Sequence, residues 1–139
     1  MYLDTSVLVK RYVAEPDSEA VDEVVVGFTL VSSELALGEV WSALLAKERS
    51  KTLPPAAREA AWEAFLTDID DGVLRLIPLD GVMIREANEV MLQVHPQVPL
   101  RTLDAIHLAT YGSVITGPIF TKDKRMLAAA KLLGFAVVE

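Results

Sequence analysis

Tyr2-Leu3-Asp4-Thr5-Ser6 opens the chain and decides how the rest is interpreted. A very short apolar segment is followed at once by a carboxylate and then by a predicted helix over residues 5–14. Open α/β sheets carry their chemistry beyond the carboxyl ends of the strands, where such a strand-to-helix switch lies. Asp4 is therefore a candidate site residue, and the alternative is that it only caps the helix.

Apolar runs and helical stretches alternate along the whole sequence. Buried strands are predicted at residues 2–3, 27–31, 74–77, 118–121 and 135–138. Helices are predicted at residues 5–14, 18–26, 33–50, 55–71, 81–94, 102–114 and 124–133. The alternation predicts an α/β fold in which a mostly parallel central sheet of about five strands is flanked by helices on both faces. Residues 1–139 are expected to form a single domain.

Composition narrows the class of protein. The chain has 139 residues, no cysteine and a net charge of −7, so disulfides and thiolate metal sites are excluded. No signal-peptide or membrane-spanning pattern is present, which predicts a cytoplasmic protein without membrane contact. Hydrophobic residues make up 52%, which suggests a second apolar surface for a twin subunit or a partner. A nucleic-acid ligand would require local basic patches, or metal ions in an acidic pocket.

Glu39 is a carboxylate within a predicted helix that is apolar on nearly every side. Such a helix is expected to be buried. A buried carboxylate needs a partner, because an unpaired charge away from water costs several kcal/mol or shifts its pKa strongly. The alternative to a site role is a buried ion pair with an Arg or Lys from elsewhere.

Asp104 lies in the stretch Arg101-Thr102-Leu103-Asp104-Ala105-Ile106-His107-Leu108-Ala109. Thr102 is predicted to cap this helix, and Asp104 would then favour the first turn through the helix dipole alone. Arg101 and His107 lie three residues away on either side and form a polar patch with Asp104. His107 is predicted to pack or to orient Asp104, and roles as a ligand or a base stay open.

Asp123 follows the predicted strand 118–121, and its alternative role is again a helix cap. Thr121 lies two residues earlier, so it would share a side with Asp123 if the strand continues. The Thr121 hydroxyl is then able to orient a carboxylate or a water.

The four acids indicate a functional site only through their joint arrangement. In a parallel sheet the carboxyl ends of the strands and the starts of the following helices lie at one edge. Asp4, Asp104 and Asp123 are therefore expected to lie close together there. Glu39 is expected to approach them from its helix. Four close carboxylates repel one another, and some would stay protonated without compensation. Mg²⁺ and Mn²⁺ favour such hard oxygen ligands and can activate a water for phosphodiester hydrolysis.

The same residues carry a family resemblance. The opening Tyr2-Leu3-Asp4-Thr5-Ser6-Val7-Leu8-Val9-Lys10 resembles the start of PIN-domain proteins of the VapC toxin type. The Asp-Ala-Ile-His-Leu-Ala core at residues 104–109 resembles the third-acid helix of that family. Thr121-Lys122-Asp123 is similar to its final acid segment, and Glu39 falls where the second acid is expected.

The resemblance implies a Mg²⁺- or Mn²⁺-dependent endoribonuclease, the toxin half of a toxin–antitoxin pair and commonly a homodimer. The catalytic and metal-binding residues that it implies are Asp4, Glu39, Asp104 and Asp123. Ser6 and Thr121 would be supporting hydroxyls. The implied mechanism is in-line attack of an activated water on an RNA phosphodiester. An antitoxin segment is expected in an apolar groove of helices 18–26 and 33–50, reaching the acidic pocket with a basic side chain.

RNA contacts are expected from cations near the acids, and the alternative is ordinary helix-surface charge. The candidates are Lys10, Arg11, Arg101, Lys122, Lys124 and Arg125. Replacing the first two is expected to weaken RNA binding and flatten its salt dependence.

Other classes fit the sequence less well. A phospho-aspartyl phosphatase requires a second Asp two residues after Asp4, where this chain has Ser6. A receiver domain requires adjacent acids after the first strand, which are missing, although Asp80 follows a later strand. The remaining alternative is a PIN-like module that binds RNA or protein without cleaving it.

Overall fold

Strands and helices alternate along residues 1–114 and 117–138, the part of the chain that the computed structural model describes. In chain order the elements are β1 (Tyr2–Leu3), α1 (Thr5–Tyr12), α2 (Ser18–Val25), β2 (Leu30–Ser33), α3 (Leu35–Arg49), α4 (Pro55–Asp70), β3 (Leu74–Ile77), α5 (Gly81–Val94), α6 (Thr102–Val114), β4 (Ile119–Phe120), α7 (Lys124–Leu132) and β5 (Val137–Val138).

The five strands form one parallel sheet in the order β3-β2-β1-β4-β5. The central strand β1 pairs with β2 on one side and with β4 on the other. The strand order reverses between β1 and β4, and in open α/β sheets the crevice at such a reversal is the usual ligand site. The predicted α/β fold with a parallel five-stranded sheet is confirmed.

Successive residues of β1 face opposite sides of the sheet, as the period of two requires. Leu3 packs with apolar residues of α1, α2, α3 and α4. Tyr2 packs instead with Leu108 of α6 and Met126 of α7. Both strand residues are fully buried, so the sheet is covered by helices on both faces.

The prediction for β2 was wrong by three residues at its start. The strand runs over Leu30–Ser33, whereas residues 27–31 had been predicted. Gly27 has a positive φ of 82° and Phe28 is 45% exposed, so the chain is still turning after α2. The strand ends instead in two buried serines. Ser32 Oγ donates to the Leu3 carbonyl at 2.7 Å, and this hydrogen bond compensates the cost of burying the hydroxyl. A prediction based on apolar runs therefore excluded serines that do belong to the strand.

The helix α3 is less buried than its composition predicted. Its buried residues are Ala36, Val40 and Leu44, a single stripe at four-residue spacing, while Leu37 is exposed. The loop through Pro54 lets α4 return alongside α3. Trp41 and Trp62 contact at 4.9 Å between ring centroids, on neighbouring faces of the two helices.

The other predicted elements agree with the structure to within three residues at each boundary. The strands β4 and β5 are shorter than predicted, at two residues each. Within residues 1–114 and 117–138, none of the helices has both the length and the apolar character that a bilayer span requires.

Candidate active site

Asp4 lies between β1 and α1 and is 5% exposed. Its Oδ1 accepts hydrogen bonds from the Val7 amide at 3.1 Å and from Ser6 Oγ at 2.7 Å. Its Oδ2 accepts from Thr121 Oγ1 at 2.8 Å. Burial raises the pKa of Asp4, and the two hydroxyl hydrogen bonds offset part of that effect. Asp4 therefore caps α1 and also presents a buried carboxylate at the reversal of the strand order.

Two hydroxyls join the loop after β1 to the loop after β4. Thr121 Oγ1 donates to Asp4 and accepts from the Asp123 amide at 3.0 Å. Ser6 Oγ donates to Asp4 and accepts from the Lys122 amide at 3.0 Å. Each hydroxyl uses both a donor and an acceptor, so the position of the Asp4 carboxylate is fixed relative to the start of α7.

Asp123 is the N-cap of α7. Its Oδ1 accepts from the amides of Arg125 and Met126 at 2.8 and 2.9 Å. Asp123 therefore caps α7, as the alternative interpretation predicted, and the cap uses only one of its two carboxylate oxygens. The same two-amide cap occurs at Asp80, the N-cap of α5.

Asp104 lies in the first turn of α6, whose first residue is Thr102; Thr102 is therefore not the cap that the sequence predicted. The Oδ2 atom of Asp104 is buried and has no hydrogen-bond partner among the described residues. Burial raises the pKa of Asp104, the nearby charge of Asp123 raises it further, and Arg101 offsets part of the change. The two carboxylates are thus close enough to repel each other, and one buried oxygen is left without a donor.

Glu39 lies on α3 with its side chain 24% exposed. Its Oε1 accepts from Thr5 Oγ1 and from His107 Nε2, both at 2.7 Å. Burial alone would raise the pKa of Glu39, but the interaction with His107 and the hydrogen bond from Thr5 outweigh it and hold the pKa below its ordinary value. The partners are a histidine and a threonine, in place of the Arg or Lys of the alternative interpretation.

His107 is a buried, hydrogen-bonded packing residue, in agreement with one part of the prediction, but it contacts Glu39 and not Asp104, so the prediction that it orients Asp104 was wrong. It is 3% exposed, and its Nδ1 lies 2.8 Å from the Tyr2 hydroxyl. Three residues of an α-helix fall about 60° short of a full turn. That rotation directs His107 toward β1 and α3, while Asp104 faces the start of α7.

Sequence reasoning missed Thr5 and Tyr2 as site neighbours. Thr5 links Glu39 to the loop that carries Asp4, and Tyr2 holds the second nitrogen of His107. Thr5 adjoins Asp4 in sequence, which was an available signal. Nothing local to Tyr2 distinguishes it from an ordinary core aromatic residue.

The candidate cations of α1 are engaged within the chain. Lys10 Nζ lies 2.6 Å from Glu15 and 2.7 Å from Asp17, and its side chain is 16% exposed. Arg11 pairs with Asp22 at 3.1 Å. Their charges are already compensated, which argues against the prediction that they contact RNA.

The cations near the third and fourth acids are more accessible. Arg101, Lys122 and Lys124 are exposed, and Arg125 is half-buried. Lys122 Nζ lies over the Phe120 ring, 5.2 Å from its centroid. None of the four is in an ion pair within residues 1–114 and 117–138.

A divalent cation fits the chemistry of this edge. The donors are hard carboxylate oxygens, and the orphaned Oδ2 of Asp104 is a buried acceptor that a cation would satisfy. Across the described residues, however, no group of three or more His, Asp or Glu side chains is arranged to hold a metal ion. Thr121 thus joins Asp4 to Asp123, the charge of Asp123 acts on Asp104, and Glu39 is joined to Thr5, the residue after Asp4.

Comparison with known proteins gives consistent matches. The PIN domain family profile matches residues 1–132. The chain is 40% identical over 141 aligned positions to "Ribonuclease VapC46" of Mycobacterium tuberculosis, covering 99% of this chain and 95% of that protein. Its fold is similar to the crystal structure of VapC20, described as a "Sarcin-Ricin loop cleaving toxin" of M. tuberculosis, with a TM-score of 0.73, 19% identity and coverage of 99% and 98%. The chain therefore belongs to the PIN-domain family, among proteins of the VapC type.

Proposed function

We propose that this protein is a Mg²⁺- or Mn²⁺-dependent endoribonuclease and the toxin component of a VapBC-type toxin–antitoxin system. The observation that supports the proposal is the connection of Asp4, Asp123 and Asp104 at the reversal of strand order, with Asp104 Oδ2 left without a partner among residues 1–114 and 117–138. The ribonuclease name of the 40% identical relative supports the substrate class.

Asp4, Glu39, Asp104 and Asp123 would hold the cation. A bound Mg²⁺ or Mn²⁺ supplies a Lewis acid that activates water and stabilises charge on the phosphodiester. The chain itself contributes orientation: Ser6 and Thr121 fix the Asp4 carboxylate by donating to both of its oxygens.

The amino ends of α1 and α7 lie at the same edge of the sheet. Asp4 and Asp123 already accept first-turn amides of these helices, so phosphate contacts are expected from cationic side chains instead. Lys122, Lys124, Arg101 and Arg125 surround this edge, and we assign the phosphate contacts of the RNA to them. Such contacts set affinity and position, while RNA shape sets selectivity.

The partners follow from the same proposal. A cognate antitoxin and a second copy of the chain would cover apolar surface. Exposed apolar side chains occur at Val26 and Leu37, within the predicted antitoxin helices 18–26 and 33–50, and at Val82, Ile84 and Leu92 on α5. We propose that residues 1–139 act as one domain in the cytoplasm. Size-exclusion chromatography, with and without the product of the neighbouring gene, tests both assemblies.

The decisive experiment is cleavage of a stem-loop RNA by the purified chain in MnCl₂ and in EDTA. Asp123→Asn should abolish Mn²⁺-dependent cleavage, whereas Asp80→Asn should leave it unchanged. The pair is matched because both acids make the same two-amide cap, and Asn caps a helix about as well as Asp. Cleavage that persists in purified Asp123→Asn, or in EDTA, would instead favour the non-catalytic binding module with a contaminating nuclease.

A further inference from the structure

A buried row of polar groups connects the centre of the sheet to Glu39. Tyr2 on β1 contacts His107 on α6, and His107 contacts Glu39 on α3. We propose that His107 is a positioning residue that, anchored by Tyr2, holds the Glu39 carboxylate in its metal-binding orientation. The inference rests on the proposed metal-dependent function and extends it to two residues outside the set of acids.

The hydrogen-bonding capacities of the groups give this row a direction. An ionised carboxylate only accepts hydrogen bonds, so the 2.7 Å contact requires the proton on His107 Nε2. Nδ1 lies 2.8 Å from the Tyr2 hydroxyl, which can either donate a hydrogen bond or accept one. Both ring nitrogens have a partner, so the ring orientation is fixed.

Tyr2 is a rigid anchor for the imidazole. It lies on the central strand, is fully buried, and packs edge-on against His107 at 5.9 Å between ring centroids. Tyr111 packs edge-on against its other side at 5.8 Å. Movement of the Tyr2 hydroxyl would require repacking of the core, so the core fixes the position of His107.

Glu39 needs this support more than the other acids do. Asp4 and Asp123 are short side chains held by backbone amides at helix starts. Glu39 is longer, lies in the interior of a helix and is partly exposed. His107 and Thr5 both donate to Oε1, so we assign Oε2 as the oxygen that would bind a cation. Removing a partner that orients a metal ligand in this way typically weakens metal binding about 10- to 100-fold.

Three variants of His107 separate positioning from packing. In His107→Gln the side-chain amide can donate from close to the Nε2 position, whereas in His107→Asn it is too short to reach Glu39. Calorimetric titration of each purified variant with MnCl₂ measures the dissociation constant. We expect an increase of about 10-fold or more in His107→Asn and His107→Leu, with rescue to within about 3-fold of wild type in His107→Gln. Melting temperatures are recorded alongside.

Tyr2 provides a second test, and Tyr111, in the same core cluster, provides its matched control. Tyr2→Phe removes the hydroxyl that holds His107, and Tyr111→Phe removes one that donates to the Gly117 carbonyl at 2.9 Å. We expect about 3-fold weaker Mn²⁺ binding in Tyr2→Phe only. This pair also keeps the inference testable if the His107 variants fail to fold.

The outcomes distinguish the inference from the proposed function. If wild type binds Mn²⁺ and cleaves RNA while His107→Leu, His107→Gln and His107→Asn bind Mn²⁺ equally well, the positioning role is refuted and the nuclease proposal stands. Affinity that follows the melting temperature across all variants refutes it as well. If wild type binds no Mn²⁺, the function fails, and the positioning role toward a metal fails with it.

Discussion

At the scale of single residues, the same carboxylates serve as helix caps and as candidate ligands. Asp4 and Asp123 each accept backbone amides and also lie at the proposed site. The two roles are compatible because a carboxylate has two oxygens with two lone pairs each. A capping interaction therefore does not argue against a functional role.

Asp104→Asn should stabilise the metal-free protein at pH 7. The pKa of Asp104 is raised in the folded state, so stability is lost as pH rises from the unfolded value of about 3.9 through the folded pKa. Removing the charge removes that loss. We expect a melting temperature above that of wild type at pH 7 in EDTA. The difference should vanish near pH 3.

The complementary measurement adds MnCl₂. Wild type should gain about 2.7 kcal/mol of stability when free Mn²⁺ is 100 times its dissociation constant, and Asp104→Asn should gain much less. An equal gain in both proteins would exclude Asp104 as a ligand.

Thr121→Val should both destabilise the protein and weaken Mn²⁺ binding. The substitution keeps the shape but leaves Asp4 Oδ2 and the Asp123 amide without their shared hydroxyl. A buried group left unsatisfied costs about 1–3 kcal/mol, which urea unfolding would detect. Thr67→Val is the control, because its hydroxyl donates to the Glu63 carbonyl within α4. A loss of stability no larger than that of the control would contradict the bridging role.

At the scale of elements, the site is built from the starts of helices. The helices α1, α6 and α7 each begin with an acid in the cap or first turn, and the parallel sheet brings these starts to one edge. Of the four acids, Glu39 comes from a helix interior, where its donors are the side chains of Thr5 and His107, whereas Asp4 and Asp123 also accept from backbone amides.

Asp123→Ala and Asp80→Ala should lower the free energy of unfolding by similar amounts, about 1 kcal/mol each, because both remove a two-amide cap. Only the first should weaken Mn²⁺ binding. Urea unfolding and MnCl₂ titration of both proteins test this. Equal effects on Mn²⁺ binding would show that Asp123 acts as a cap alone.

At the scale of the whole molecule, a protein with a net charge of −7 is proposed to bind RNA, which is itself a polyanion. Arg101, Lys122 and Lys124 are exposed near Asp104 and Asp123, while Lys10 and Arg11 of α1 are neutralised by ion pairs. Other exposed cations, including Arg49, Arg75 and Arg85, lie on α3, β3 and α5.

Replacing Lys122 and Lys124 together by Ala should flatten the salt dependence of RNA binding. For single-stranded RNA each lost phosphate contact reduces the slope of log K against log salt by about 0.7. Replacing Lys10 and Arg11 by Ala should leave the slope unchanged, contrary to the sequence-based expectation, because those side chains pair with acids of the chain. Binding to a catalytically inactive Asp104→Asn background at several salt concentrations measures both. If only the replacement of Lys10 and Arg11 reduced the slope, the phosphate contacts would have to be assigned to Lys10 and Arg11.

The amino-acid sequence by itself determined the alternation of elements, most helix boundaries and the positions of the four acids on them. These properties are local, because hydrophobic periodicity, prolines and caps act within a few residues. The tertiary structure alone decided where β2 begins, which partner Glu39 has, and which cations are compensated. Thr121 and Asp4 are 117 positions apart, and His107 and Glu39 are 68 apart. Such contacts depend on how the helices pack on the sheet, and a pattern that repeats every two or four residues carries no information about them.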